Sequence, residues 1–345
     1  MAYISFKPKD FFNTVLYTGN GSTQSITGVG FQPDFTWIKA RNQTYNHYVF
    51  DAPRGAGEYI KPNQTSAETD GSADHLTAWT SDGFNLGGTA GVNLDTGTFA
   101  SWNWKAGTTS GVDFSAGDIT PTAYSINTTS GIGIYHYTCT GANATMVHGL
   151  SSAPKMLITK SLGDTAPWAV WHTGMNPTNY LVLDTTAAEV TGTAMWNSTA
   201  PSSSVISLGS DGQSNGSGKN NIMYAFSDVE GYSKCGTFVG NNSATDGPFI
   251  YTGFRPAFVL IKVIDYTAAW TMFDNKRIGY NPTNEVFSPD TNITSRASWM
   301  SDIYSNGFKP FNNDPQINGN GTNYVYLAIA EFPIVGSNDT PGVAR

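Results

Sequence analysis

"GFRPAFVLIK" at Gly253–Lys262 and "GFQPDFTWIK" at Gly30–Lys39 are nearly the same phrase, and "LSSAPKMLITK" at Leu150–Lys160 is a worn third copy. Self-similarity at long spacing is the sequence mark of repeated architecture. With Pro33, Pro154 and Pro256 as anchors, an aromatic-led turn phrase precedes each: "YTGNGS" from Tyr17, "YTCTGAN" from Tyr137 and "FVGNNSA" from Phe238. An apolar run follows each proline and closes on lysine, at Lys39, Lys160 and Lys262. Fourteen residues past the proline stand His47, Trp168 and Trp270, and eighteen past it stand Asp51, His172 and Asp274. Arg54 and Arg277 come three residues later, where the middle copy has Met175. Each copy then ends in a strand-like segment: "TFASWNW" from Thr98, "IMYAFSD" from Ile222 and "YVYLAIAE" from Tyr324.

Within a copy, apolar residues alternate with period two, as Phe35 and Trp37 or Phe258 and Leu260 do, which is the signature of strands. Gly, Asn, Asp and Pro clusters such as "SDGF", "NTTSG" and "NGNGTN" separate the short runs and supply turn conformations. No long stripe of helical period occurs. The expected fold is all-β, with three divergent β-sandwich (jelly-roll-like) repeats in tandem. The boundaries read as 1–110 with an N-terminal attachment segment, a linker or edge-strand excursion at 111–131, then 132–232, 233–335 and a tail at 336–345.

The 345 residues carry only 13% charged side chains but 13% aromatic ones, and a net charge of −8. That aromatic content is enough to build cores, which disordered polar chains cannot do. An acidic chain without Lys/Arg clusters excludes the usual nucleic-acid binders. No apolar run approaches the ~20 residues needed to span a bilayer, so membrane insertion is not expected. The start "MAYISFKPKDFF" lacks a signal-peptide pattern, which predicts synthesis in the cytoplasm. Cys139 and Cys235 form no CxxC pair, and whether they bridge is open.

The segment "EGYSKCGTFVGNNSATDGPFIYTGFRPAFVLIK" from Glu230 resembles a family of tailed-bacteriophage virion proteins frequent in marine phages. The likeness extends to "SNGFK" at Ser305, "YVYLAIAEFP" at Tyr324, "FNTVLYTGNGSTQSITGVGFQPDFTWIK" from Phe12, "TFASWNWKAG" and "APKMLITK". The resemblance implies a virion or tail-fibre component with concanavalin A/laminin G-like sandwiches, held by other virion subunits as an oligomer. Coiled-coil heptads and collagen triplets are lacking, which leaves a capsid decoration or tail adaptor without a ligand as the alternative.

Trp102, Trp171 and Trp299 are candidate stacking residues for host cell-surface glycan, with Asp82 as a hydroxyl partner, since an apolar face with a polar handle suits sugars. The Asp51–Arg54 and Asp274–Arg277 pairs read as structural ion pairs at the surface near a strand end. Trp168 and Trp270, at equivalent positions, read as core. The histidines lack zinc-ligand spacing. No cofactor is expected; Ca²⁺ is a candidate only through oxygen-rich loops and the resemblance. A polysaccharide-degrading enzyme, the least favoured class, needs two carboxyls facing across a cleft, and none is legible.

Overall fold

A computed structural model describes residues 6–333, apart from the side chains of 284 and 298–300. The tail at 336–345 falls outside the described residues. The chain is all-β: its strands pair antiparallel throughout, and the described helices are single turns of three or four residues. None of those helices is long and apolar enough to cross a membrane.

Three principal sheets carry the fold. In the first, the order is Phe12–Thr18, Thr98–Trp104, Phe35–Ala40, Tyr48–Asp51, Glu58–Ile60, Thr69–Asp70. In the second it is Ala123–Asn127, Ile132–Thr138, Asn220–Ser227, Pro154–Ser161, Ala169–His172, Asn179–Val182, Val190–Thr191. The third runs Ser233–Val239, Asn323–Pro333, Phe254–Val263, Thr271–Asp274. In each, the proline–lysine strand lies between the closing strand and the strand bearing Asp51, His172 or Asp274. A smaller sheet faces each principal sheet: Gln24–Ile26 with Gly83–Leu86 and Leu76–Thr80; Ala144–Val147 with Val205–Leu208; and Ile250–Tyr251 with Gly307–Pro310, Arg296–Tyr304 and Thr283–Val286.

The alternation expected along these strands is present, but in the central strands neither face is left to water. All six residues of Phe35–Ala40 are buried. Ile38 and Ala40 face the small sheet with Phe84 and Leu86, whereas Phe35 and Trp37 enter a second cluster shared with Ile158, Tyr224, Phe258 and Leu260. The three principal sheets therefore meet back to back in one core to which every unit contributes. Burial on both faces accounts for the aromatic richness, because each large ring removes 150–250 Å² from water.

The segment 111–131 packs on the second unit and supplies an edge strand of its principal sheet. Phe114 and Ile119 are buried in its core, Asp118 accepts from the Thr145 hydroxyl at 2.8 Å, and Ala123–Asn127 pairs along Ile132–Thr138. At the front, Phe6 and Phe11 set their rings edge-on to Tyr232, so residues 6–12 lie against their own chain.

Candidate functional site

The polar chemistry singled out by the repeated phrase converges where the principal sheets meet. Asp51 terminates Tyr48–Asp51 opposite Phe35 and has no exposed surface. Its Oδ2 accepts from Arg54 Nε at 2.6 Å and from the Tyr224 hydroxyl of the second unit at 2.6 Å. Asp274, opposite Phe258, is equally buried. It pairs with Arg277 Nε and accepts from Trp102 Nε1 of the first unit at 3.2 Å. Each guanidinium also donates to a backbone carbonyl, Arg54 to Val49 at 3.1 Å and Arg277 to Met272 at 3.2 Å, and to a further side chain, Arg54 to Glu68 at 3.0 Å and Arg277 to Ser295 at 3.5 Å. In the middle unit His172 takes the same place: Gly174 N donates to Nδ1 at 2.9 Å, which puts the proton on Nε2, facing Tyr326 O of the third unit at 3.0 Å. Burial pushes the His172 pKa down to about 4, so the ring is neutral.

The contacts are cyclic: the closing strand of the first unit reaches the third (Trp102 on Asp274), that of the second the first (Tyr224 on Asp51), and that of the third the second (Tyr326 on His172). The position fourteen residues past the proline repeats that order. Trp168 Nε1 donates to Lys61 O at 3.1 Å and Gln64 O at 3.2 Å in the first unit, and Trp270 Nε1 to Val182 O at 2.9 Å in the second. His47 sets its ring edge against Phe287 of the third, 5.9 Å between centroids. Backbone bonds follow suit: Ser295 N to Arg41 O, Glu68 N to Leu162 O and Glu189 N to Ile264 O.

Lys39, Lys160 and Lys262 are fully buried. Each ammonium is held by backbone carbonyls, Lys39 on Ala40 and Gln43, Lys160 on Ser161 and Asp164, Lys262 on Val263 and Thr186. Burial lowers their pKa values, to about 7 for Lys39 and about 8 for the other two. The unfolded chain keeps these protons up to about 10.5, so between pH 7 and 9 it binds more protons than the folded one and stability rises with pH. Urea unfolding is expected to show a gain of about 1–3 kcal/mol over that window, below the full linkage of about 1.4 kcal/mol per unit and group because buried headgroups relax. A flat or falling profile would contradict this.

The residues expected to stack on sugar are placed differently. Trp102 is 0% exposed and Trp171 3%, so neither ring can meet a solvent ligand; both faces of the sheets that carry them are covered. Trp299 lies in Arg296–Tyr304 with its side chain outside the described residues. Asp82 sits at the surface, but both carboxylate oxygens accept backbone N–H, from Gly28 at 3.0 Å and Gly30 at 2.6 Å, and those bonds lower its pKa. The Asp–Arg pairs are structural but buried, not superficial: each partner's side chain is at most 1% exposed. Cys139 and Cys235 are free and buried. Among the described residues no three His, Cys, Asp or Glu side chains stand together to hold a metal.

Three asparagines escaped the sequence reading. Asn93, Asn215 and Asn318 end the single-turn helices Ala90–Asn93, Gly212–Asn215 and Pro315–Asn318, each with no exposed surface. Each accepts from the backbone N–H of the turn phrase, at Asn20, Thr140 and Asn241, 3.0, 2.7 and 2.8 Å away. Each also donates to two carbonyls, Ser22 and Gly87, Ala142 and Gly209, Ser243 and Asn312. The detectable signal was the shared Asn-rich turn before each closing strand: "NLDTG", "NGSG" and "NGNG".

A family described as a domain of unknown function, DUF7483, matches residues 7–333. The chain belongs to that family. The matched span contains all three principal sheets, so the DUF7483 unit is the whole closed body and not one sandwich. No curated protein and no solved structure matches the chain.

Proposed function

We propose that the chain is a non-enzymatic structural protein on the outside of a tailed-phage particle, made of three divergent copies of one concanavalin A/laminin G-like sandwich. It is held there by other virion subunits and meets host-surface glycan. The observation that carries this reading is the ring of junctions. The recurring Asp, His and Trp positions join unit to unit, and the Arg and Lys beside them are taken up by buried pairs and backbone carbonyls, which favours a rigid block over a catalyst. A catalytic reading would need such groups gathered in a cleft with shifted pKa values, and here they are covered by protein. The long phrases from Phe12 and Glu230 that resemble tailed-phage virion proteins supply the setting. A body with a largely uncharged polar surface also suits salt-variable surroundings, since few of its contacts are screenable.

Gold-labelled antibody against the purified chain, applied to intact particles from infected cultures, is expected to decorate them at a fixed place. Label found only in the lysate and never on particles overturns the reading. Release of reducing ends from polysaccharide by the purified chain would replace it with the enzymatic one.

A further inference from the structure

The small sheet of the third unit turns an unusual face outward. Ile250, Phe308 and Ile303 lie in register across its strands and are buried, so the alternate residues point to solvent. Tyr251 is opposite Gly307, which is opposite Tyr304; beside that row Lys309 is opposite Asp302, with Phe249 next to Ile250. Phe249 is 47% exposed and Tyr251 54%. Neither ring is loose: Phe249 meets Tyr304 edge-on at 5.7 Å, and Lys234 holds its ammonium 5.4 Å over Tyr251 while donating to the Tyr251 carbonyl at 3.1 Å. Gly307 is itself buried between them: a Cβ there would lie 2.1 Å from Ile250 O and 3.0 Å from Phe249 Cζ, so the Phe249 ring tip rests on it. Polar groups border it: the Tyr304 hydroxyl donates to Asp302 at 3.1 Å, and Lys309 pairs with Asp246.

The first unit shows that folding does not require this face. There Ile26 is opposite the buried Phe84, just as Ile250 is opposite Phe308. Yet Ser25 stands where the third unit has Phe249, Thr27 for Tyr251, Thr80 for Tyr304, Asn85 for Lys309 and Ala78 for Asp302. Five outward positions that are small or uncharged in one unit are aromatic or charged in another, on the same scaffold. In the second unit the corresponding sheet is flanked by the 111–131 segment through Ile119 and Asp118.

We propose that this face binds carbohydrate, seating a pyranose ring of a surface polysaccharide against the exposed rings of Phe249 and Tyr251. The C–H groups on a sugar's flat face carry partial positive charge and meet the negative face of an aromatic ring. Its hydroxyls need donors and acceptors at the ring edge, which Lys309, Asp302 and Asp246 provide, the usual mixture of apolar walls and few polar groups in a ligand site. A protein partner fits less well, because interface centres are depleted of Lys and Asp. The proposal gives the particle reading its ligand and takes only its biological setting from it.

The test is affinity electrophoresis of the full chain in native gels containing dextran, mannan, galactan or xylan. At least one polymer is expected to retard the protein, and Tyr251→Ala and Phe249→Ser are each expected to weaken that retardation roughly tenfold or more. Both variants should melt within about 2 °C of the parent, as surface changes do. The proposal is overturned if none of the four polymers retards the chain, or if retardation survives both substitutions. It is also overturned if the parent sediments as a dimer that Tyr251→Ala dissociates, which would make the face a contact between copies. Binding is read on the purified chain, so it stands or falls separately from particle labelling.

Discussion

Asp274→Ala is expected to destabilise the chain by about 3–5 kcal/mol, because removing one partner of a buried ion pair strands the other charge. Arg277 has no escape to water: its guanidinium lies 4.4 Å from the Phe287 ring centroid and 5.7 Å from that of Trp102, with its side chain 1% exposed. The substitution also deprives Trp102 Nε1 and the backbone N–H groups of Lys276 and Arg277 of their acceptor. Since whole domains hold only about 5–15 kcal/mol, the variant should be largely unfolded at 37 °C or recovered as aggregate. The cost lies in the stranded charge, so removing both charges should recover most of it. Asp274→Asn with Arg277→Met keeps an acceptor oxygen and adopts the methionine that the middle unit already has at Met175. That double variant should lose only about 1–2 kcal/mol, the level of one poorly matched buried hydrogen bond. Denaturant titration followed by tryptophan fluorescence reads all three chains. A single variant costing under about 1 kcal/mol would mean that the pair is solvated, as surface pairs of that worth are. A double variant no better than the single would mean that the charge is not the cause.

The same residues show where sequence reading reaches and where it stops. The phrase around Pro33, Pro154 and Pro256 located a strand in each unit, and period two showed which residues share a face. Alternation says nothing about what covers the second face, so Trp102 read as a surface candidate although it lies at the meeting of the sheets. Its partner Asp274 is 172 residues away, and the proximity arises only from how the units pack. The burial of Lys39 is illegible for a different reason. A lysine closing a strand ordinarily reaches water, and only loop carbonyls such as Gln43 O let it stay inside. Asn93, Asn215 and Asn318 were hidden by composition, because one more asparagine in a Gly/Asn turn looks like turn chemistry. The outward aromatic face was hidden by register: Phe249 and Tyr251 flank a core isoleucine, and only the pairing with Gly307 shows which side they take.

Those asparagines give the sharpest test of whether the units behave as one body. Asn93→Ala, Asn215→Ala and Asn318→Ala are each expected to cost about 1–3 kcal/mol, since each leaves a part-buried N–H and two carbonyls without partners. Asn215→Asp should be no better than alanine: it keeps the acceptor for Thr140 N but turns a carboxylate oxygen toward the carbonyls of Ala142 and Gly209. The three alanine costs should agree within about 1 kcal/mol, because each removes the same three backbone bonds, one accepted N–H and two donations to carbonyls. The form of the transition carries more information than its midpoint. Phe35, Tyr224 and Phe258 belong to one cluster, and Phe35 meets Tyr224 at 4.6 Å, so loosening one unit exposes the inner faces of the others. A single cooperative transition, shifted alike by all three variants, is therefore expected in circular dichroism and tryptophan fluorescence. Hydrogen exchange gives the contrary result its form: if Asn93→Ala speeds exchange in Phe35–Ala40 and leaves Pro154–Ser161 and Phe254–Val263 at the parent rate, the first unit unfolds alone. The shared core would then be a weak contact, and the buried junctions would not couple the units.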